Sequence, residues 1–423
     1  MKLSAFIAIT VFCALLLPAF SYARPEGRKD ANKDADAGKH HRRQNSDVSA
    51  RDNDGEPTDD KGIVKTGSFK VTKGGSLVIS VEAGNVRIIP WDKSEVGIKA
   101  TGEEEDDFDE FRMNLRANTV HIDNESYCNS CDMVYEIHVP SEFDLDIHTS
   151  DGNIEIQSGL TGKMTGRTSA GNIKLGKLNG TIEMKTSGGN IKSGDIKGDL
   201  TLGTSGGDIA LGLIEGDCDV NTSGGDIKIQ NVSKTLEART AGGDVKVGDV
   251  GGEATISTSG GTIIVGKIGG RATLTTAGGD IEIASATGIV SAKTAGGNLH
   301  LENITGSVTA KTAGGDVEAE LIPSGKGKSK LSTAAGEVRL YIPENAKATI
   351  SARIRVQGRW RDDEDDDYRI KSDFKSETYN KDEDEGIITA TYVLNGGGES
   401  IALETSNADI EIRKLIDTTK TKK

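Results

Sequence analysis

The chain has 423 residues, 54 of them glycine and only 7 proline, with aromatic residues at 4 % and a net charge of -15. Glycine this frequent without proline excludes a collagen-like chain and points to many regular turns, while so few aromatics argue against a thick globular core. The acidic balance opposes binding of nucleic acid or of an anionic membrane by the folded body.

Residues 1–23 read as a signal peptide: Lys2 opens it, Ala5 to Phe20 is an apolar run, and Ser21-Tyr22-Ala23 supplies small residues before a cleavage site. Cys13 lies mid-run and lacks a lipidation context. No second apolar stretch is long enough to span a bilayer, so no stable membrane insertion is expected after signal cleavage. Residues 24–62 form a polar linker with almost no large aliphatic residue, too poor in apolar surface to offset its ordering entropy. Its cluster Lys39-His40-His41-Arg42-Arg43 reads as solvated charge.

From residue 63 the text alternates. Ser76 to Glu82 and Asn85 to Ile89 read as strands with Ala83-Gly84 turning between them, and Glu95 to Ala100 reads as a third. An acidic break, Glu103 to Glu110, precedes more strand-like text. Residues 63–148 are expected to form an N-terminal cap of strands.

Between 149 and 340 a corner of the form Thr-Ser/Ala-Gly-Gly-Asp/Asn recurs. Its threonines are Thr149, Thr168, Thr186, Thr204, Thr222, Thr240, Thr258, Thr276, Thr294, Thr312 and Thr333, at intervals of 19, then eight of 18, then 21. Such a period predicts an all-β, single-stranded parallel β-helix or β-solenoid with 18-residue coils. In one coil Ile227, Ile229, Val232, Leu236 and Ala238 fall on one face by period-two alternation, with Lys228 and Glu237 between them. A lone coil buries too little, so stability must come from stacking coil on coil.

The corner glycines, among them Gly188, Gly189, Gly206, Gly207, Gly224, Gly225, Gly242 and Gly243, are expected where the bend needs positive φ or leaves no room for a Cβ. The corner threonines are placed to bond between coils or to their own turn. The Asp or Asn that follows is placed to accept from backbone N–H groups across the bend.

Residues 341–423 read as a C-terminal cap. Leu340 to Pro343 closes the regular array, an acidic excursion covers 357–386, and a late corner copy, Thr405-Ser406-Asn407-Ala408-Asp409-Ile410, is expected to add the last coil.

Three stretches resemble the bacterial "putative adhesin" domain family of unknown function, a β-solenoid: Gly75-Ser76-Leu77 through Gly84-Asn85-Val86, the reiterated corner, and Gly396-Gly397-Gly398 through Asp409-Ile410. The resemblance spans about residues 63–415. It implies an exported or envelope-associated protein and a right-handed β-helix.

Several motifs admit a competing chemistry. Gly-Gly-Asp suggests calcium, with Asp208, Asp226 and Asp244 in consecutive coils as candidates. The position varies among Asp, Asn, Thr and Glu, however, and there is one copy per coil, which favours a structural turn. Cys128 and Cys131 have the spacing of a redox pair without a following helix, so a structural disulfide is expected in an exported chain. Cys218 occupies an inward strand position and is expected to be a buried thiol. No cofactor is implied, and no Ser/His/Asp or His-x-x-x-His grouping appears.

The expected function is non-catalytic: a binding or scaffold protein, secreted and periplasmic or cell-surface associated, whose partner is an envelope protein or polysaccharide and not nucleic acid. The alternatives are a carbohydrate-active enzyme with its site in 103–135 or 357–386, and a self-assembling structural element.

Overall fold

The computed structural model describes residues 62–126, 133–323, 327–356 and 368–416. They build two β-sheets face to face, joined coil by coil. Each regular coil gives one strand of up to six residues to the first sheet and one of four to the second, as Ile227–Val232 and Leu236–Arg239 do. The corner motif carries the chain from the second sheet into the first, and a shorter turn such as Ser233 to Thr235 returns it.

Neighbouring coils pair in parallel with like over like. Ile209 stacks on Ile227, Ile227 on Val245 and Val245 on Ile263 in the first sheet. Leu200, Cys218 and Leu236 stack likewise in the second. A period of 18 keeps this register because each coil presents the same aliphatic positions inward. Ile227, Ile229, Val232, Leu236 and Ala238 are all buried, while Lys228 is exposed. The fold is a parallel β-solenoid, and its core is the seam between the sheets.

Both ends depart from sequence order. At the start, the strands Ser76–Ala83 and Asn85–Trp91 are the two sides of one coil. That coil lies between the strands Thr119–Asn124 and Val134–Pro140 on one side and the strands Asp144–Asp151 and Ile154–Ile156 on the other. Ala83-Gly84 is therefore a solenoid corner between sheets. At the far end, Glu399–Ser406 and Ile410–Lys414 slot between the coil of residues 328–342 and the strands Ala348–Arg355 and Ile370–Ser372. This coil was expected last and is instead internal. Its Thr405 hydroxyl donates to the Gly336 carbonyl as the other corner threonines donate to theirs, so it stacks on the Thr333 corner despite the intervening chain.

Antiparallel strands finish each end. Glu95–Gly102 and Ile63–Lys70 close the first sheet, and Arg112–Arg116 closes the second. At the other end, Thr378–Asp382 and Ile387–Leu394 form a hairpin within the acidic region. The outermost strands are short or carry Lys65, Lys70, Arg112, Arg116 and Lys381, which discourages further strand addition. The described aromatics, scarce in the coils, gather at the ends: at the start Phe108 meets Phe111 edge-on at 5.6 Å and Tyr135 and Phe143 are buried, and at the other end Tyr392 is buried. Large rings seal the end of a core that no further coil covers.

Candidate functional site

The repeated corner is a set of ladders running along the stack. The Thr222 hydroxyl donates to the Gly207 carbonyl of the preceding coil at 2.9 Å and accepts from the Gly225 N–H of its own corner at 3.3 Å. Thr186, Thr204, Thr240, Thr258, Thr276, Thr294 and Thr312 repeat both bonds, and all of these threonines are buried. A buried hydroxyl that meets one acceptor and one donor satisfies two backbone groups a bend would otherwise leave unpaired.

The Asp/Asn position forms the second ladder. Asp208 Oδ1 accepts the Asp226 N–H at 2.9 Å, Asp226 Oδ1 the Asp244 N–H at 2.8 Å, and Asp244 Oδ1 the Thr262 N–H at 2.8 Å. Asparagines do the same: Asn153 accepts from Asn172, and Asn190 from Asp208. The ladder begins at Asn85, whose Oδ1 accepts from the Asn153 N–H at 3.0 Å. The sequence reading missed this first rung, although Gly84-Asn85-Val86 matches Gly152-Asn153-Ile154. Either side chain serves because the bond needs only an acceptor oxygen, which explains why Asp and Asn alternate freely.

The glycine pair splits by role. A Cβ on Gly225 would stand 2.1 Å from the Gly207 carbonyl oxygen, whereas one on Gly224 would stand 3.5 Å from the nearest atom. Gly189, Gly207 and Gly243 resemble Gly225, and Gly188, Gly206 and Gly242 resemble Gly224. None of the eight has φ in the left-handed region, so close approach of the coils is the reason for glycine at the second position, and neither reason applies at the first. In the late copy, where Ala408 fills the second position, Asn407 takes a φ of 50°.

Among the described residues no group of three or more His, Cys, Asp or Glu side chains could hold a metal ion, Asp208, Asp226 and Asp244 included. Cys128 and Cys131 lie outside the described residues, as does Trp360. Cys218 faces the core, and burial pushes its thiol up to about 12. Tyr135 is likewise pushed up to about 12, mainly by burial, with Asn124 Nδ2 donating to its hydroxyl at 2.9 Å.

Several carboxyls are lowered by hydrogen bonds from nearby groups. Glu155 is held below its ordinary range by Lys174 at 2.8 Å and Arg87 at 3.1 Å, and Asp195 by Lys177 at 2.8 Å. These pairs are spread along the surface, with no convergence of acid, base and nucleophile.

Two shallow cavities on the second sheet mark the ends, each beside an out-of-order coil. One, of 410 Å³, is lined by Glu82, Glu125, His148 and Arg167 among others, with two carboxylates beside one guanidinium. The other, of 290 Å³, brings together Lys311, Lys330, Arg353, Arg355 and Glu404.

A parallel stack held by corner ladders defines a β-solenoid. The sequence profile of the Toastrack DUF4097 family matches residues 75–247 and 215–356, and the chain belongs to that family. No curated protein matches it.

Among solved structures, it is similar to a protein of Parabacteroides merdae described as a putative adhesin, at 12 % identity over 60 % of this chain and 95 % of that one, with a TM-score of 0.31. A Parabacteroides distasonis protein described as a putative lipid binding protein aligns at 18 % identity over 60 % and 96 %, with a TM-score of 0.28. A Clostridium sporogenes protein described as a putative cell adhesion protein aligns at 9 % over 84 % and 100 %, with a TM-score of 0.17.

Proposed function

We propose that the protein is an exported, non-catalytic binding and scaffold protein of the bacterial envelope or surface, which holds an envelope polysaccharide or protein on its faces and at its irregular ends. The observation that carries this reading is the continuous column of stacked aliphatics from Ile154 to Val317. Enzymes on repetitive β scaffolds need loops that break the repeat and converge on a reacting bond, and this stretch holds none. What it presents instead is a long, stiff, evenly spaced surface, suited to contacting an extended partner at many points.

The test is to immobilise the full mature chain and incubate it with fractionated envelope polymer. Retention of polymer whose chain length is unchanged after elution supports the reading. Shortened products, or no retention from any envelope fraction, would overturn it. Export is tested by N-terminal sequencing of the protein recovered outside the cytoplasm, with Arg24 expected as the first residue.

A further inference from the structure

We infer that the basic shoulder beside the late coil is a binding site for an acidic polysaccharide, recognised through its carboxylate or sulfate groups. The inference deepens the binding reading above and rests on it. The shoulder lies on the outer face of the second sheet. There Lys293, Lys311, Ser332, Glu404 and Arg353 occupy successive rungs of one column, and Arg355 sits beside Ser406. Rungs are about 4.8 Å apart, so Lys311 and Arg353 bracket a gap of roughly 14 Å. Lys330 reaches into that gap and pairs with Glu404 at 2.7 Å.

The charge balance sets this place apart. Acidic residues outnumber basic ones 66 to 51 in the chain, yet the cavity has four cations and one carboxylate. Glu404 is already engaged by Lys330. Lys311, Arg353 and Arg355 are exposed and have no ion-pair partner among the described residues.

The lysines of the flat face differ. Lys228 and Lys246 each stand two residues beyond an aspartate of the corner ladder, Asp226 and Asp244, on the same outward face. At the shoulder the corner residues that line the cavity are Thr333, Ala334, Thr405 and Ser406, which add hydroxyls and no negative charge, while the acids of these two corners, Glu337 and Asp409, immediately precede first-sheet strands and do not line it.

These groups match the chemistry of an acidic glycan. Guanidinium groups pair with carboxylate or sulfate oxygens in a planar, two-point fashion, and Ser332 and Ser406 are placed to bond sugar hydroxyls. Two arginines alternating on one strand and a lysine three rungs away space the positive charge along an extended chain. Among the described residues no aromatic side chain lines the cavity to offer bases a stacking platform, which disfavours single-stranded nucleic acid. The site forms only because the late coil is inserted out of order, which brings residues 311, 330, 353 and 404 together from separate segments.

The test measures binding of the full mature chain to polygalacturonate, dextran sulfate, neutral dextran and single-stranded DNA, with thermal melting of each variant as the folding control. The expected result is binding to the two acidic glycans that falls steeply with salt, and none to neutral dextran. The double variant Lys311→Gln/Arg353→Gln should weaken it about tenfold, whereas Lys228→Gln/Lys246→Gln, which removes equal charge, should change it by about twofold or less. If the first variant melts early, Arg355→Gln serves in its place.

Equal weakening by both doubles, DNA bound as tightly as the glycans, or no binding of either acidic glycan would overturn the inference. Envelope polymer still retained by the shoulder variant would overturn it too, while leaving the broader binding reading intact.

Discussion

The Thr222 hydroxyl reaches the Gly207 carbonyl fifteen residues earlier in the chain, at 2.9 Å, and in space this links two adjacent coils. Its neighbours repeat that bond along the array, so the corner is a hydrogen-bonded spine along one edge of the solenoid. Replacing Thr222 with valine keeps shape and burial and removes only the hydroxyl. The Gly207 carbonyl and the Gly225 N–H then lose a buried partner, for an expected loss of about 1–3 kcal/mol. Denaturant melting reads this directly, and an unchanged midpoint would show that the spine contributes nothing.

The two glycines of one corner should respond differently. Gly225→Ala forces a Cβ to within 2.1 Å of the Gly207 oxygen and must push adjacent coils apart, for a loss of about 3 kcal/mol or more. Gly224→Ala meets ordinary contact at 3.5 Å and should stay within about 1 kcal/mol of wild type. In the regular corners the sequence makes the same distinction: Ala170 and Ala335 stand at the first position, each followed by glycine, and Ala408 takes the second position only in the late corner, where Asn407 has a φ of 50°. Equal effects at the two positions would contradict the close-approach argument.

Ser193 is buried in an aliphatic column opposite Leu175, and its hydroxyl has no hydrogen-bond partner. Ser193→Ala removes an unpaired polar atom at little loss of contact. It should leave stability unchanged or raise it by about 1 kcal/mol. A clear loss in thermal melting would mean that the hydroxyl is bonded in solution.

Alkaline stability follows from two buried groups. Burial raises Cys218 from its ordinary 9.0, and Tyr135 from 10.0, each to about 12. Between those values the native state retains protons that the unfolded chain has released. Stability should therefore be intact below pH 9 and decline from there to about pH 12, by about 1.4 kcal/mol per pH unit for each group in its window. Urea titrations across this range test the slope. Peptide mapping after alkylation should find Cys218 unmodified in the native protein.

The fold was readable because its information is local and repeated. The alternation of Ile227, Ile229, Val232, Leu236 and Ala238 and the 18-residue step of the threonines each specify the same stack. The ends were not readable for the complementary reason. Asn85 and Thr405 carry recognisable corners, but a corner made of backbone and short side chains bonds equally well to any other, so sequence alone does not say which coil it joins. The basic shoulder was hidden likewise, since Lys311, Lys330 and Arg353 lie on three separate segments. Of the corner's residues, Thr and Asp/Asn were assigned bonding roles, whereas the unequal demand on the two glycines emerges only from the distance between coils.

The ladder bonds give the corner an architectural role, and calcium tests most directly whether it has a ligand role as well. Asp208, Asp226 and Asp244 should each be replaceable by asparagine, because Asn190 already accepts the Asp208 N–H at 2.7 Å from the same position. The measurement is the melting temperature of wild type and of the triple variant Asp208→Asn/Asp226→Asn/Asp244→Asn, each with calcium and with a chelator. All four curves should coincide within a few degrees. A calcium-dependent rise in wild type that the triple variant lacks would show that the carboxylates hold a metal, and the architectural reading of the corner would fail.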